Sequence, residues 1–299
     1  MHLPMDTIEA RDGLALVRRR WPVPDARGVV VLVHGIAEHS GRYAHVAAQF
    51  NAWGWSVESY DQRGHGRSPG PRGGLHRDDD LVADLGAVVA TVRAEQVGKP
   101  VLLLGHSMGG LVVSCYVADL LEPSSAGYAD VDGVILSSPA LSVEGTVPLL
   151  ARVAMVTIGR LLPDLQVRTG FDPHAICSDE AVVRRYREDP LVHDFISARL
   201  ARFIVEGGGY VRALAGQWTK PTLLMYAGSD RIVQPQGSAE FEQVAPPMVH
   251  AQCFAHMAHE ILNEPDRVQV FHTMRVWLDE RFSRHLAHQA GLRLKADAA

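Results

Sequence analysis

The feature that most constrains the fold is a regular alternation of short apolar runs with segments of helical spacing. Four runs of mainly β-branched, aromatic and leucine residues are predicted to form strands, at 27–35, 55–61, 100–107 and 131–139. Helices are predicted between them, at 42–54, 78–96 and 108–122. Strands and helices therefore alternate, which predicts an α/β fold with a mostly parallel central sheet covered by helices on both faces.

The alternation stops after Pro139 and starts again near residue 220. The residues 141–215 contain no clear buried strand and are divided by prolines, so several helices are predicted there. The pattern then continues with a strand, a helix, a strand and a last helix, at 220–230, 235–243, 249–255 and 264–282. The simplest architecture is a doubly wound sheet domain, residues 1–140 and 216–282, with a helical cap at 141–215 inserted between two strands and a polar tail at 283–299.

Composition argues against several classes of function. The chain has 299 residues and a net charge of -5, so it shows no basic bias towards nucleic acid. No apolar run is long enough to span a bilayer, and the N-terminus lacks the apolar core of a signal peptide, so a cytoplasmic location is expected. The 3 cysteines are scattered and give neither a disulfide framework nor a metal-binding spacing.

The segment Gly105-His106-Ser107-Met108-Gly109 has the G-x-S-x-G pattern. An apolar run precedes it and a helical segment follows at once, which is the strand–turn–helix setting of a nucleophile elbow. In such a turn the serine lies above the carboxyl edge of the sheet, and the flanking glycines relieve crowding. Ser107 is therefore the predicted nucleophile. Because a serine hydroxyl is weakly nucleophilic near neutral pH, it needs a base and an orienting carboxylate.

In this architecture the partners follow the serine in the order acid, then histidine, each after a strand. Asp230 ends the strand at 220–230 and is the predicted acid. His256 and His259 both follow the next strand, so the order of residues leaves the base open between them. A zinc site is the alternative for His256-x-x-His259-Glu260, but the spacing matches no metalloprotease motif and a third ligand with suitable spacing is absent. No metal and no organic cofactor is expected.

An oxyanion hole needs two backbone N–H groups, which we expect from Met108 and from Ile36, after the turn His34-Gly35. The loop at 60–70 is rich in polar groups and is expected to be held by internal hydrogen bonds. The segment 147–163 is apolar nearly all round, and is either a cap helix buried on the sheet domain or a lid lining an acyl-chain tunnel. Candidate substrate contacts are Glu38, for which hydrogen bonding within its loop is the alternative, together with His106, Leu149, Val153 and Val156.

Six segments together resemble the α/β-hydrolases and, within that fold, the monoacylglycerol lipase and lysophospholipase group. They are HGIAEHSGRYAHVA (34–47), YDQRGHGRSPG (60–70), GHSMGG (105–110), DPLVH (189–193), GSDRIV (228–233) and HEILNEP (259–265). The resemblance implies that Ser107 is the nucleophile and Asp230 the acid. It also selects His259, the first residue of HEILNEP, as the base.

The predicted function is a serine ester hydrolase acting on medium- or long-chain acyl esters with a small polar head. Monoacylglycerol is the first expectation and lysophospholipid the second, with cleavage through an acyl-enzyme. The predicted partners are a small-molecule acyl ester and, through the cap, a membrane surface in transient contact. A general carboxylesterase, an aminopeptidase or amidase, and a non-enzymatic ligand receptor are the alternatives. An aspartate-nucleophile dehalogenase is disfavoured because the elbow residue is Ser107.

Overall fold

A computed structural model describes residues 6–121, 128–144 and 147–296, and for 283–296 it describes the backbone alone. Its strands are β1 (Thr7–Glu9), β2 (Ala15–Trp21), β3 (Val29–Val33), β4 (Ser56–Tyr60), β5 (Val101–His106), β6 (Gly133–Ser137), β7 (Gln166–Arg168), β8 (Phe195–Ser197), β9 (Thr222–Ala227) and β10 (Val249–Phe254). Its α-helices are α1 (Ala44–Ala52), α2 (Asp80–Glu95), α3 (Met108–Asp119), α4 (Leu149–Leu161), α5 (Glu180–Glu188), α6 (Ala198–Leu214), α7 (Pro235–Val244) and α8 (Arg267–Ala296).

The central sheet has 8 strands in the order β1-β2-β4-β3-β5-β6-β9-β10. All neighbouring pairs from β4 to β10 are parallel, whereas β2 runs antiparallel to β4 and β1 antiparallel to β2. The mostly parallel sheet predicted from the alternation is therefore confirmed. The antiparallel strands β1 and β2 lie before the first predicted strand, and β1 has 3 residues, too few to produce a recognisable alternation.

The strand side chains alternate between two apolar layers, one on each face of the sheet. In β3, Val29, Val31 and Val33 face one layer, which contains residues of α2 and α3. Val30 and Leu32 face the other layer, with residues of α1 and α8. Because both faces are covered, β3 is fully buried and is apolar at every position. Each such side chain contributes about 1.5–3 kcal/mol by leaving water, so this strand fixes the centre of the sheet.

Between β6 and β9 the chain leaves the sheet and forms α4, α5, α6 and the small antiparallel pair β7–β8. The pair β7–β8 was not predicted, because β7 is exposed along its whole length and lacks an apolar signal. Helices α4 and α6 approach closely at Gly159, where a Cβ atom would lie 2.6 Å from the carbonyl oxygen of Ala198. These elements form a layer over the carboxyl ends of β5 and β6.

The last helix is longer than the sequence indicates. The predicted helix ends at 282, whereas the backbone of α8 continues to Ala296, through most of the predicted tail at 283–299. The last three residues of that tail lie outside the described residues. Among the helices that the structure describes, none is both long enough and apolar enough to cross a membrane.

Candidate active site

Ser107 lies in the sharp turn between β5 and α3. Its φ of 55° and ψ of -122° are in a region that side-chain-bearing residues rarely occupy, at a cost of about 1–3 kcal/mol. Three backbone hydrogen bonds hold this conformation: Ser107 N–H donates to Ser137 O at 3.0 Å, and Ser107 O accepts from Leu111 N at 3.1 Å and Ala140 N at 3.0 Å. These hydrogen bonds thus hold Ser107 in its strained backbone conformation.

The two outer glycines of the motif are required by close backbone contacts. A Cβ atom on Gly109 would lie 2.2 Å from the carbonyl oxygen of Val33 in the neighbouring strand. A Cβ atom on Gly105 would lie 2.5 Å from the carbonyl oxygen of Gly109. The G-x-S-x-G pattern is therefore a steric condition for packing α3 against β3 and β5.

The structure brings the three residues of the predicted triad together. His259 Nε2 lies 2.8 Å from Ser107 Oγ, and His259 Nδ1 lies 2.6 Å from Asp230 Oδ2. The other oxygen of Asp230 accepts hydrogen bonds from the backbone N–H groups of Ile232 and Val233, at 2.8 and 3.0 Å. Because an ionised carboxylate only accepts, Nδ1 carries the proton and Nε2 is free to accept from the serine hydroxyl.

Buried charges favour the protonated form of His259. Burial by itself lowers the pKa of the imidazole, but the adjacent charge and hydrogen bond of Asp230, with further help from Glu260 and Glu38, outweigh it and raise the pKa. The imidazolium that forms when His259 takes a proton from serine is therefore stabilised at this position. This suits a group that receives a proton and later returns it.

His256, the other candidate base, lies elsewhere. It is exposed and lines a separate groove with residues such as Gln252 and His272. Only Met257 and Ala258 separate it from His259, yet this is enough to place it away from Ser107. Of the two histidines, His259 is therefore the one in contact with Ser107 and Asp230.

Ile36 and Met108, the predicted oxyanion donors, line the same cavity as Ser107. Met108 is the first residue of α3, and the first N–H groups of a helix have no acceptor within the helix. The loop of Ile36 is held on one side by His34, which accepts from Gln62 N–H at 2.9 Å through Nε2 and contacts Gly35 O at 2.7 Å through Nδ1. His34 is thus a buried structural residue.

The side chain of Glu38 forms hydrogen bonds within its own loop, which is the alternative to a substrate contact that the sequence left open. One carboxylate oxygen accepts from Gly35 N–H and from the Tyr43 hydroxyl, both at 2.6 Å, and the other pairs with Arg42. Burial opposes ionisation, but Arg42 and the other neighbouring groups outweigh it and lower the pKa of Glu38 to about 2. Glu38 borders a small cavity beside Ser107 as a carboxylate whose oxygens are already bound.

His106 borders the same small cavity. Its Nδ1 lies 3.0 Å from Ser137 O, and its ring centroid is 4.9 Å from that of His259. Burial and the neighbouring His259 lower the pKa of His106 to about 4, so it is neutral near pH 7. A neutral ring here adds no positive charge next to the base.

Known proteins are similar to this chain along most of its length. A family model described as serine aminopeptidase, S33, matches residues 24–266. The monoacylglycerol lipase of Mycolicibacterium smegmatis is 37% identical over 270 residues, which cover 89% of this chain and 93% of that protein. The chain belongs to this α/β-hydrolase family. It is a serine hydrolase that acts on a small-molecule ester, as the sequence predicted.

Solved structures agree with this α/β-hydrolase assignment. The crystal structure of Paleococcus ferrophilus monoacylglycerol lipase superposes with a TM-score of 0.78 at 33% identity, covering 89% of this chain and 99% of that one. A soluble variant of monoglyceride lipase from Saccharomyces cerevisiae, solved with a substrate analog, has a TM-score of 0.79 at 24% identity over 94% of this chain and 98% of its own. The second likeness supports the fold alone.

An apolar cavity that reaches Ser107 of this hydrolase lies under α4 and α6 and has a volume of about 370 Å³. On α4 it is lined by residues spaced i, i+3, i+4 and i+7, which form one helix face: Ala151, Ala154, Met155 and Ile158. The opposite wall comes from α6, through Ala198, Ala201, Ile204 and Val205. The cavity is nearly free of polar groups and opens directly at the serine.

The sequence prediction chose the wrong face of α4 for substrate contact. Leu149 and Val153 are 67% and 53% exposed on the outer side of the helix, and neither they nor Val156 line the cavity. The reason is that the segment is apolar on nearly every side, so its pattern cannot distinguish the inner face from the outer one. The signal that could have identified the lining residues is the small side chains of Ala151 and Ala154, which leave space beneath the helix.

The polar loop at 60–70 is held by hydrogen bonds, both within the loop and to neighbouring segments. Asp61 accepts from the backbone N–H and the hydroxyl of Ser40, at 2.9 and 2.6 Å, and from Arg67 N–H at 2.8 Å. Arg63 is buried and binds both oxygens of Asp84, at 2.6 and 2.7 Å. These groups fix the loop beside the oxyanion segment and do not reach Ser107.

Proposed function

We propose that this hydrolase cleaves monoacylglycerols to a fatty acid and glycerol. The observation that carries the proposal is that a large apolar cavity and a much smaller cavity meet at Ser107. The apolar cavity has a volume of about 370 Å³, and the small one, of about 30 Å³, is lined both by polar residues such as His106 and Glu260 and by apolar ones such as Phe171. An acyl chain suits the first, and the second suits a small, neutral, hydroxyl-bearing alcohol better than a bulky charged head group.

In the proposed mechanism, Ser107 Oγ attacks the ester carbonyl while His259 Nε2 takes the serine proton. The N–H groups of Ile36 and Met108 bind the oxyanion that forms. His259 then gives its proton to the leaving glycerol oxygen, and the acyl group stays on Ser107. Water, deprotonated by His259, attacks the acyl-enzyme, and the returning proton restores the serine. Asp230 holds the imidazole and stabilises its positive charge throughout.

The proposal also assigns separate roles to the core and the cap. Residues 1–140 and 216–282 would form the catalytic core, and 141–215 the cap that supplies the acyl cavity. Two hydrogen bonds from Ser178, through its backbone N–H and its hydroxyl, to Glu264 at 2.6 and 2.8 Å join the cap to the loop that carries His259. Cap and core therefore act as one site.

A panel of esters tests the choice of substrate. We expect monoacylglycerols to be hydrolysed with higher kcat/KM than lysophosphatidylcholines of the same acyl length, because the small cavity disfavours a phosphocholine group. Preference for lysophosphatidylcholine would favour a lysophospholipase, and turnover of aminoacyl amides would favour an aminopeptidase. A protein that reacts once with a serine-directed probe and turns over none of these compounds would be a ligand receptor.

A second prediction concerns the acyl cavity. Ala151→Phe places a ring in the cavity, whereas Val153→Phe, on the other face of the same helix, does not. Because an overfilled site costs about 1–3 kcal/mol, we expect Ala151→Phe to lower kcat/KM for p-nitrophenyl palmitate about 10- to 100-fold. Hydrolysis of p-nitrophenyl acetate should be unchanged in both variants. Equal effects of the two substitutions on palmitate would contradict the assignment of this cavity.

The outer face of α4 supports transient contact with a lipid surface. Leu149 and Leu150 at the start of α4 and Leu161 and Leu162 at its end are 60–82% exposed, and Arg160 lies beside the second pair. Exposed apolar side chains of this kind near a cationic group are typical of surfaces that bind membranes. We expect the protein to co-sediment with phosphatidylcholine vesicles and Leu150→Asp to weaken that binding. Identical sedimentation of the variant would exclude this face as the contact.

A further inference from the structure

A buried ion-pair network connects the two loops that flank Ser107. Arg42 forms a bidentate pair with Glu260, with Nη1–Oε1 at 2.7 Å and Nη2–Oε2 at 2.8 Å. The same Nη1 also pairs with Glu38. The side chains of Glu38, Glu260 and Arg42 are 3%, 6% and 12% exposed, so this network is shielded from solvent. Bidentate arginine–carboxylate pairs of this kind fix both distance and orientation.

Each end of the network is attached to a catalytic element. Glu38 binds the N–H of Gly35, which directly precedes Ile36 and its proposed oxyanion amide. Glu260 directly follows His259, and its backbone N–H donates to the cap carbonyl of Ile176 at 2.7 Å. One guanidinium therefore lies between the segment that binds the oxyanion and the segment that carries the base.

The cap touches the same cation. The guanidinium carbon of Arg42 lies 4.8 Å from the centre of the Tyr186 ring, on α5. Such a contact is favourable when the cation is partly desolvated. Through Glu38, Glu260 and Tyr186, Arg42 thus contacts the loop of the proposed oxyanion donor, the loop that carries His259, and the cap. The relative positions of these three parts set the geometry around Ser107.

We infer that Arg42 and Glu260 are positioning residues for the proposed hydrolysis, which together hold the base loop and the oxyanion loop at a fixed separation across Ser107. The inference rests on the proposed function for its chemistry. Neither residue takes part in bond making. Their effect arises because a displacement of about 1 Å in the catalytic geometry can cost about 100-fold in rate.

The carboxylates of this network also affect the pKa of His259. The charged or titratable groups around His259 are Asp230, Glu260, Glu38, Arg42 and His106. Glu260 and Glu38 both raise the pKa of His259, in addition to the larger effect of Asp230. Removing the charge of Glu260 should therefore lower that pKa. Because catalysis needs neutral His259, the acid limb of kcat/KM should then move to lower pH.

Glu260→Gln tests the inference, because it keeps the size and some hydrogen bonds of the side chain but removes its charge. We expect kcat for p-nitrophenyl butyrate to fall about 10- to 100-fold with little change in KM. We also expect the acid limb of kcat/KM to shift to lower pH. Glu264→Gln is the matched control: Glu264 is buried in the same loop and binds the cap through Ser178, but not Arg42. It should leave the acid limb where it is.

Arg42→Lys separates geometry from charge. It keeps the positive charge and loses the two-pronged contact, so we expect a lower kcat without a shift of the acid limb. A folded Glu260→Gln variant, as judged by its melting temperature, with wild-type kcat and pH profile would overturn the inference. If Glu260→Gln does not fold, unchanged kcat in folded Arg42→Lys overturns it instead. Absence of ester turnover in the wild type would contradict the proposed function, and the rate of Ser107 labelling by a fluorophosphonate would still report the effect of the network.

Discussion

Ser107→Ala is expected to reduce kcat for p-nitrophenyl esters about 10⁶-fold, the loss typical of a serine hydrolase without its nucleophile. The Oγ atom of Ser107 is 2.8 Å from His259 and is the group that forms the proposed acyl-enzyme. Without it, the oxyanion donors and the binding cavity can still accelerate attack by water, by about 10³- to 10⁴-fold over the uncatalysed reaction. The measurement is steady-state turnover of p-nitrophenyl butyrate, together with labelling by a fluorophosphonate, which should be absent.

The strained backbone of Ser107 supplies a control for loss of folding. Alanine retains the cost of a φ near 55°, whereas glycine does not. Ser107→Gly should therefore be as inactive as Ser107→Ala while its free energy of unfolding is about 1 kcal/mol higher. Urea denaturation measures this difference. Turnover near the wild-type level in either folded variant would show that another residue is the nucleophile.

His259→Ala should also lower kcat about 10⁶-fold, because the serine then has no base and the leaving group no acid. His256→Ala should leave kcat unchanged, since His256 is exposed and lines a different groove. The two substitutions remove the same side chain from positions three residues apart. They therefore compare position alone.

Two possible results with these histidine variants would contradict the assignment of His259 as the base. Loss of turnover in His256→Ala with turnover retained in His259→Ala would exclude the contact of 2.6 Å between His259 and Asp230 as the catalytic one. Equal loss in both, at unchanged melting temperature, would indicate a histidine pair acting together. We expect neither, because Asp230 contacts only His259 among the described histidines.

The sequence predicts the core well because its rules are local. Strands buried on both faces are continuous in apolar residues, and β3 shows this at all 5 positions. Ser107 is recognisable because the glycines on either side of it are required by close backbone contacts. These requirements fall within five consecutive residues, so the motif can be read from the sequence. Asp230 was predicted from its place directly after an apolar strand, and it lies in the loop that follows β9.

The features that escaped prediction depend on contacts between distant segments. Arg42 and Glu260 are 218 residues apart, and neither position carries a local pattern that would link them. The inner face of α4 is defined only by where α6 lies. The order of residues alone likewise left the choice between His256 and His259 open, because it depends on how the chain turns after β10, and only the family resemblance selected His259. In each case the answer depends on where a side chain or a helix face points in the folded chain, and a hydrophobic pattern does not specify this.

The segment between β6 and β9 begins and ends on strands that are adjacent in the sheet. Val134 pairs with Thr222 and Ser137 with Met225 in these parallel strands, so the two attachment points are one strand spacing apart across the sheet and about 10 Å apart along it. The entropy of closing a loop grows only with the logarithm of its length, and doubling the length costs about 0.6 kcal/mol. The sheet is therefore nearly indifferent to how many residues leave and return there, and this position can accept a segment of different length or shape, and hence a different substrate cavity, while Ser107 and Asp230 stay where they are.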